Sequence, residues 1–334
     1  MNKPIITKKG SLLERAAEVY DFSARLNARA IPESDLQAPP VRTPVASVPV
    51  AEAPQPVETP RTGAVPVEMP AAPVARPVPV LPAALPVPGR QANIDRDLLA
   101  ENQLLIPGAP IGVLAEEFRL AKRQLLLTAR QLNKQEPDKA RTILVCSAKP
   151  GDGKTYCAIN LAISMAAERD TRVLLVDADF AKPGIMARLG VADGPGLLDA
   201  LGDPAIDIEK CVVGTDIPNL SLLPAGAQTN ADVELIASGR TPELIARLLA
   251  ADPGRVVIFD SPPALSASPA SVLALHVGQV MLVVRADKTS EGEIRDTVQR
   301  LDGCEHIQLL LNSVSFAPGG ARFGSYYGQE DEGQ

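Results

Sequence analysis

Short runs of apolar and β-branched residues recur in the second half of the chain, each bounded by charged residues, glycine or proline. Such runs are typical of strands buried on both faces of a parallel sheet. Between them, apolar residues return every three or four positions, which predicts amphipathic helices. The predicted strands are 142–146, 172–179, 219–224, 255–263, 279–284 and 307–312. The predicted helices are 113–132, 156–167, 233–238, 242–250 and 291–301.

Strands and helices alternate along this region, and this order predicts an α/β fold. Right-handed crossovers would build a parallel sheet with helices on both faces. Residues 93–316 contain all of these elements, so we expect them to form one folded domain.

Three other segments lack the alternating pattern. Residues 35–92 consist mostly of proline, alanine and valine, which cannot build a core and predict a disordered, semi-rigid linker. Residues 1–34 contain an amphipathic helix that begins with a capping box, Ser11 and Glu14; its apolar stripe suits either the protein's own core or a partner's groove. Residues 317–334 form a glycine-rich tail, predicted to be flexible, that carries Tyr326 and Tyr327.

Composition and charge narrow the possible functions. The chain has 334 residues, 46% of them hydrophobic, which is enough to fill a core. Its net charge of −7 and the lack of any basic run longer than Lys122-Arg123 argue against nucleic-acid binding. The four cysteines and two histidines show no metal-ligand spacing and suggest buried thiols in a reducing cytoplasm. Because no apolar run reaches about 20 residues, we expect a cytoplasmic protein that reaches a membrane only through a partner.

The candidate chemistry begins with a glycine-containing loop, 147–155, between a predicted strand and a predicted helix. Backbone N–H groups of such a loop and the helix N-terminus bind phosphates, Lys154 can reach the terminal phosphates, and the Thr155 hydroxyl can ligate Mg²⁺. Ala148 replaces the first glycine of the usual motif. The residues predicted to contact the nucleotide are Lys149, Pro150, Gly151, Asp152, Gly153, Lys154, Thr155, Tyr156 and Asn312.

Two other predicted strands end in carboxylates: one in Asp177 and Asp179, and the next in Asp260. Each aspartate alone suits a turn or a helix cap. Ligands of open parallel sheets, however, bind beyond the carboxyl ends of the strands, where all three aspartates and the loop would meet. The combination predicts a site for a nucleotide with Mg²⁺.

These segments together resemble the bacterial tyrosine kinase family, a branch of the deviant P-loop ATPases that also includes ParA-type and MinD-type ATPases. The resemblance covers roughly residues 95 to 334 and rests on 147–155, 173–179, 224–226, 257–263, the Glu-x-x-Arg of 116–119 and the tyrosine-bearing tail. The N-terminal helix, the proline-rich linker and residues 116–123 are most similar to the exosortase-associated tyrosine autokinases of exopolysaccharide loci.

The resemblance implies an ATP- and Mg²⁺-dependent protein-tyrosine autokinase that regulates exopolysaccharide biosynthesis or export. It gives catalytic roles to Lys154, Asp177, Asp179 and Asp260, and metal ligation to Thr155, Asp177 and Asp260. Tyr326 and Tyr327 would be phosphorylated in trans by a neighbouring subunit.

The resemblance also implies partners. The subunits would self-associate through Glu116, Arg119, Lys122 and Arg123, although Lys122 stands where the family has an arginine with bidentate geometry. A membrane polysaccharide co-polymerase or chain-length-determinant protein would recruit the kinase to the inner face of the plasma membrane.

Two alternative functions stay open at this point. Lys149 lies five residues before Lys154, where ParA-type and MinD-type ATPases carry a signature lysine, so a switch ATPase that phosphorylates no protein is one alternative. Lys149 can equally be an exposed loop lysine. The other alternative is a nucleotide-gated scaffold for a membrane polysaccharide complex, which the intact Lys154 and the three aspartates argue against.

Overall fold

The computed structural model describes residues 89–314. The predicted N-terminal segment, 1–34, the tail, 317–334, and nearly all of the predicted linker, 35–92, lie outside the described residues. The last four linker positions, 89–92, are described, and Arg90–Ala92 form a short strand, so the fold includes residues that we expected in the linker.

The described residues form an eight-stranded sheet with helices on both faces. The strands are β1 Arg90–Ala92, β2 Thr142–Ser147, β3 Arg172–Asp177, β4 Val213–Thr215, β5 Leu220–Leu223, β6 Arg255–Asp260, β7 Gln279–Arg285 and β8 Ile307–Asn312. The helices are α1 Arg96–Glu101, α2 Val113–Leu132, α3 Lys154–Ala166, α4 Ile185–Arg188, α5 Leu197–Gly202, α6 Ile208–Cys211, α7 Asp232–Ile236, α8 Arg240–Ala251, α9 Pro269–Ala274 and α10 Glu291–Arg300.

The order of strands in the sheet is β1-β4-β5-β3-β6-β2-β7-β8. All neighbouring strands pair in parallel except β4 and β5, which pair antiparallel. This order places β6 and β7 on either side of β2 and β3 beyond β6. The ends of β2, β6 and β3 therefore lie side by side at one edge of the sheet, where parallel sheets bind ligands.

Alternate residues of each central strand supply two separate hydrophobic layers, as the two-residue period of a strand requires. On one face, Leu144, Leu174 and Val257 pack with the helices α5 to α9. On the other face, Ile143, Val173 and Ile258 pack with α1, α2 and α3. The two layers explain why these strands are apolar throughout rather than alternating.

The predicted parallel sheet with helices on both faces is confirmed, and α2 has the predicted bounds. The four cysteines are free and buried, as expected. Within residues 89–314, no helix has the length and apolar character that crossing a bilayer requires.

Candidate functional site

The loop between β2 and α3 has the backbone shape of a phosphate cradle. Gly151 and Gly153 have positive φ angles, 85° and 100°, which are unfavourable for any residue with a Cβ atom. A Cβ atom at Gly153 would also lie 2.0 Å from Asn312 Nδ2. Both positions therefore require glycine, and the loop leads directly into the N-terminus of α3 at Lys154.

Two residues from neighbouring strands hold this loop in place. Asn312, at the end of β8, donates through Nδ2 to the Asp152 carbonyl oxygen at 2.9 Å. Arg285, at the end of β7, donates through Nη1 to the Gly151 carbonyl oxygen at 3.0 Å. The buried carboxylate of Asp152 accepts from the Lys149 backbone N–H at 3.0 Å. Asn312, predicted to contact nucleotide, thus supports the loop backbone, and the similar role of Arg285 was not predicted.

The P-loop lysine, Lys154, is paired with a carboxylate. Its Nζ lies 2.5 Å from Asp179 Oδ2 and 3.3 Å from Thr155 Oγ1. Both charged side chains are nearly buried, with exposures of 12% for Lys154 and 6% for Asp179. Each neutralises the other in a poorly solvated place, so a phosphate that takes Lys154 would free the carboxylate of Asp179.

Asp177 performs a capping role at the start of α4. Its Oδ2 accepts from the backbone N–H groups of Gly184 at 2.9 Å and Ile185 at 3.0 Å. Burial raises the pKa of Asp177, and these backbone hydrogen bonds oppose the rise. The predicted metal ligand is therefore also the side chain that fixes the segment between β3 and α4.

Asp260 differs from the other two aspartates because neither of its carboxylate oxygens has a hydrogen-bond partner among the described residues. It is fully buried, and it lies opposite Asp177 in the pairing of β3 with β6. Burial raises the pKa of Asp260 to about 7, although the nearby charge of Lys154 and the nearby Thr155 hydroxyl lower it. An unpartnered buried carboxylate requires an explanation, and a bound cation or ordered water supplies one.

This geometry is compatible with Mg²⁺ bound together with a nucleotide. In the described range, no group of three or more His, Cys, Asp or Glu side chains is arranged to hold a metal ion by itself. Mg²⁺ commonly uses one or two protein oxygens together with substrate phosphates and water. Asp260 and the Thr155 hydroxyl suit that mode, whereas Asp177 and Asp179 already have partners.

A cavity of about 410 Å³ lies over these groups. The P-loop and Thr155 form one wall, and residues 181–184 with Arg188 form the opposite wall. Pro262, Pro263, Ser266 and Ala267 close a third side. A cavity lined by the phosphate-binding loop and by the Lys154–Asp179 pair is the best candidate for the functional site among the described residues.

Two predicted nucleotide contacts are engaged elsewhere within the subunit. Lys149 Nζ lies 2.5 Å from Glu293 of α10, and this ion pair, with the Ser290 backbone N–H, lowers the pKa of Glu293 to about 2. The Tyr156 hydroxyl donates to the Gln103 carbonyl oxygen at 3.0 Å. Tyr156 is thus packed in place.

The four residues predicted for self-association do not share one environment. Glu116 and Arg119 form an ion pair of 2.5 Å on α2, and Arg123 is exposed. Lys122 is buried instead, with Nζ 2.9 Å from the Ser164 carbonyl oxygen and 2.7 Å from Glu168. Lys122 therefore contacts its own subunit.

The predicted acceptors, Tyr326 and Tyr327, lie outside the described residues.

The family described as an AAA domain matches residues 140–306, half of the chain. The chain belongs to this AAA-domain family. The match runs from just before β2 to just before β8, so it contains the loop, Lys154 and all three aspartates. The P-loop nucleotide-binding site predicted from the sequence thus coincides with the AAA domain.

Curated relatives of the AAA domain are named as kinases. The tyrosine-protein kinase Wzc of Salmonella typhimurium is 29% identical over 232 residues, which cover 69% of this chain and 31% of the relative. The putative tyrosine-protein kinase EpsB of Ralstonia nicotianae is 33% identical over 192 residues, which cover 57% of this chain and 24% of the relative. The chain thus spans less than a third of the length of either relative.

A solved structure supports the fold. The crystal structure of the chimerical protein CapA2B2 is 26% identical, with a TM-score of 0.54, and the similarity covers 69% of this chain and 95% of that chain. The P-loop ATPase fold expected from the sequence is confirmed by this similarity and by the order of the strands.

Proposed function

We propose that this protein is an ATP- and Mg²⁺-dependent protein-tyrosine kinase that phosphorylates tyrosines in its own C-terminal tail. The observation that carries the proposal is a cavity lined by the P-loop, Lys154 and Asp179. At the end of the neighbouring strand β6 lies the buried Asp260, whose carboxylate has no hydrogen-bond partner among the described residues. The names of the Wzc and EpsB relatives support a protein tyrosine as the acceptor.

The chemistry requires mainly positioning and charge neutralisation. The loop N–H groups and the N-terminus of α3 would bind the phosphates, and Lys154 would leave Asp179 to neutralise the terminal phosphoryl group. Mg²⁺ would supply further neutralisation of the phosphate oxygens when bound near Asp260 and Thr155.

Asp179 would then act on the acceptor. Once Lys154 has moved to the phosphates, the carboxylate of Asp179 can accept the proton of the tyrosine hydroxyl. The tyrosine oxygen forms a bond to the terminal phosphorus, the bond from that phosphorus to the bridging oxygen breaks, and ADP leaves. Asp177 would keep residues 178–185 in position through its contacts with Gly184 and Ile185.

The acceptors proposed are Tyr326 and Tyr327, reached in trans in a neighbouring subunit. Asn312, which ends β8, contacts the P-loop, so the C-terminal part of the chain starts beside the cavity. Tyr326 follows the last described residue, Val314, by 12 positions. A segment of that length has enough reach to enter a cavity on an adjacent copy.

We further propose a cellular setting that rests on the family resemblance. The kinase would regulate exopolysaccharide biosynthesis or export with a membrane polysaccharide co-polymerase or chain-length-determinant protein. It would be cytoplasmic, would self-associate, and would be recruited by that partner to the inner face of the plasma membrane. Nucleic acid is not among the proposed partners, because the net charge of the chain is acidic.

Incubation of the purified protein with Mg-ATP, followed by mass spectrometry, tests the proposal. We expect phosphotyrosine at Tyr326, Tyr327 or both, and none without Mg²⁺. ATP hydrolysis without any phosphotyrosine would instead favour a ParA/MinD-type switch ATPase, for which the position of Lys149 in the loop is the specific observation.

A further inference from the structure

One wall of the cavity carries two cations that the proposed chemistry does not use. Lys182 and Arg188 line the cavity from the segment that joins β3 to the end of α4, and both are exposed. Among the described residues, neither side chain has an ion pair or a hydrogen bond. Their charges are therefore available to a ligand in the cavity.

The other cations around the loop already have partners. Lys149 pairs with Glu293, Lys154 pairs with Asp179, and Arg285 donates to the Gly151 carbonyl oxygen. Lys182 and Arg188 differ from these three cations in location. They also differ in that no described residue neutralises their charges.

Arg188 is close to the metal-binding side of the loop. A Cβ atom placed on Gly184 would lie 3.8 Å from Arg188 Nε and also 3.8 Å from Thr155 Cγ2. The cavity therefore has an acidic floor at Asp179 and a basic rim on the side of Lys182 and Arg188. A ligand that suits both would present its reacting group to the floor and negative charges to the rim.

The C-terminal tail has this arrangement of charges. Glu330, Asp331 and Glu332 follow Tyr327 by three to five positions, with Gly328 between. An extended chain advances about 3.3 Å per residue, so these acids lie roughly 10 to 17 Å along the chain from Tyr327. When the tyrosine hydroxyl lies at the floor, beside Asp179, the side chains of Glu330 to Glu332 would lie away from that carboxylate and near the rim.

We propose that Lys182 and Arg188 select the acceptor by binding the acidic end of another copy's tail, Glu330 to Glu332, while Tyr326 or Tyr327 enters the cavity. This inference deepens the proposed function and rests on it. Charge complementarity is the argument for this occupant, and it makes the interaction dependent on ionic strength.

Two full-length chains separate enzyme from acceptor. The enzyme chain carries Tyr326→Phe and Tyr327→Phe, so it has no acceptor, and the acceptor chain carries Lys154→Met, so it transfers nothing. Adding Lys182→Ala and Arg188→Ala to the enzyme chain should raise the KM for the acceptor about tenfold at low salt and change kcat less, since two exposed ion pairs are lost. The matched control, Arg130→Ala with Lys134→Ala, removes the same charge from the last turn of α2 and from the segment just after it, outside the cavity.

Changes in the acceptor make the test specific. An acceptor with Glu330→Gln, Asp331→Asn and Glu332→Gln should show the high KM already, with no further rise when Lys182 and Arg188 are replaced. Reversing the charges on both chains, with Lys182→Glu and Arg188→Glu in the enzyme and Glu330→Lys, Asp331→Lys and Glu332→Lys in the acceptor, should restore a low KM. An equal loss on acidic and neutral acceptors would overturn the inference, because the two cations would then act on the nucleotide or the transfer itself.

A binding measurement distinguishes failure of this inference from failure of the kinase proposal. A fluorescent peptide of residues 317–334 and its neutralised form are titrated with the enzyme chain and a non-transferable ATP analogue, and anisotropy is recorded. Tighter binding of the acidic peptide, lost with Lys182→Ala and Arg188→Ala, supports the inference even if no acceptor is ever phosphorylated. Equal binding of both peptides overturns it, whatever the kinase activity.

Discussion

At the residue scale, the candidate site contains one matched charge pair and one unmatched charge. Lys154 and Asp179 neutralise each other, whereas the carboxylate of Asp260 has no partner in residues 89–314. A nucleotide with its metal ion would reverse this pattern, because phosphates take Lys154 and the cation offsets Asp260.

Lys154→Met should abolish tail phosphotyrosine, since the phosphate-neutralising charge is lost. It should also lower the free energy of unfolding by several kcal/mol, about the loss measured when one partner of a buried pair is removed. Urea denaturation and phosphotyrosine mapping measure the two effects. Adding Asp179→Asn should recover most of the stability without restoring activity. Normal phosphotyrosine in the Lys154→Met variant alone would contradict the assignment of the P-loop.

Asp260 predicts a pH dependence of stability in the metal-free protein. Its pKa is raised to about 7 by burial, so the folded state holds the proton more tightly than the unfolded chain does. The associated stabilisation is complete below the pKa of the unfolded carboxyl, about 4, and is lost as pH rises toward 7. In EDTA, melting temperatures recorded from pH 4 to pH 8 should fall more steeply for the wild type than for Asp260→Asn. Parallel curves for the two proteins would show that Asp260 is not the source.

At the element scale, the long patterned segments were predictable and the short ones were not. The strands β2, β3 and β6 are apolar throughout because they are buried on both faces, and α2 has an apolar stripe through Phe118 and Leu125. The three-residue strands β1 and β4, and the antiparallel pairing of β4 with β5, carry too little periodicity to detect.

The direction of individual side chains was the other feature that the sequence did not predict. Lys122 follows the spacing of Glu116 and Arg119, which suggested a shared surface, yet its long side chain reaches Ser164 at the end of α3. The support of the P-loop by Arg285 depends on β7 lying beside β2, which only the strand order reveals. The aspartates were predictable because each lies at or just beyond the end of a strongly patterned strand.

The contrast between Lys122 and Arg119 gives a prediction about α2. Lys122→Met removes a charge-assisted hydrogen bond to a carbonyl near the C-terminal end of α3, so it should lower the free energy of unfolding by about 1–3 kcal/mol. Arg119→Ala removes an exposed pair and should cost less than about 1 kcal/mol. Urea denaturation of both variants measures the difference. Equal losses would contradict the intrasubunit role of Lys122.

At the scale of the whole molecule, the sheet order concentrates the functional parts at one edge. The ends of β2, β6 and β3 bear the loop and the aspartates, and the ends of β7 and β8 support the loop through Arg285 and Asn312. The chain leaves β8 at this same edge, where the last residue of the strand, Asn312, contacts the P-loop. Proximity alone would permit transfer within one chain as well as between chains, and the two routes differ in their dependence on concentration.

Transfer between copies predicts a rate per subunit that rises with protein concentration, whereas transfer within a copy predicts a constant rate. We expect the initial rate, measured by quantitative mass spectrometry in dilute protein with saturating Mg-ATP, to increase with concentration until assembly is complete. In a mixture, the chain with Tyr326→Phe and Tyr327→Phe should phosphorylate the chain with Lys154→Met, although neither forms phosphotyrosine alone. A third chain, with both Lys154→Met and the two phenylalanines, controls for contaminating kinases because it should gain no phosphate when mixed with the active chain. A constant rate per subunit, together with no transfer in the mixture, would contradict the trans route. Each chain would then phosphorylate its own tail.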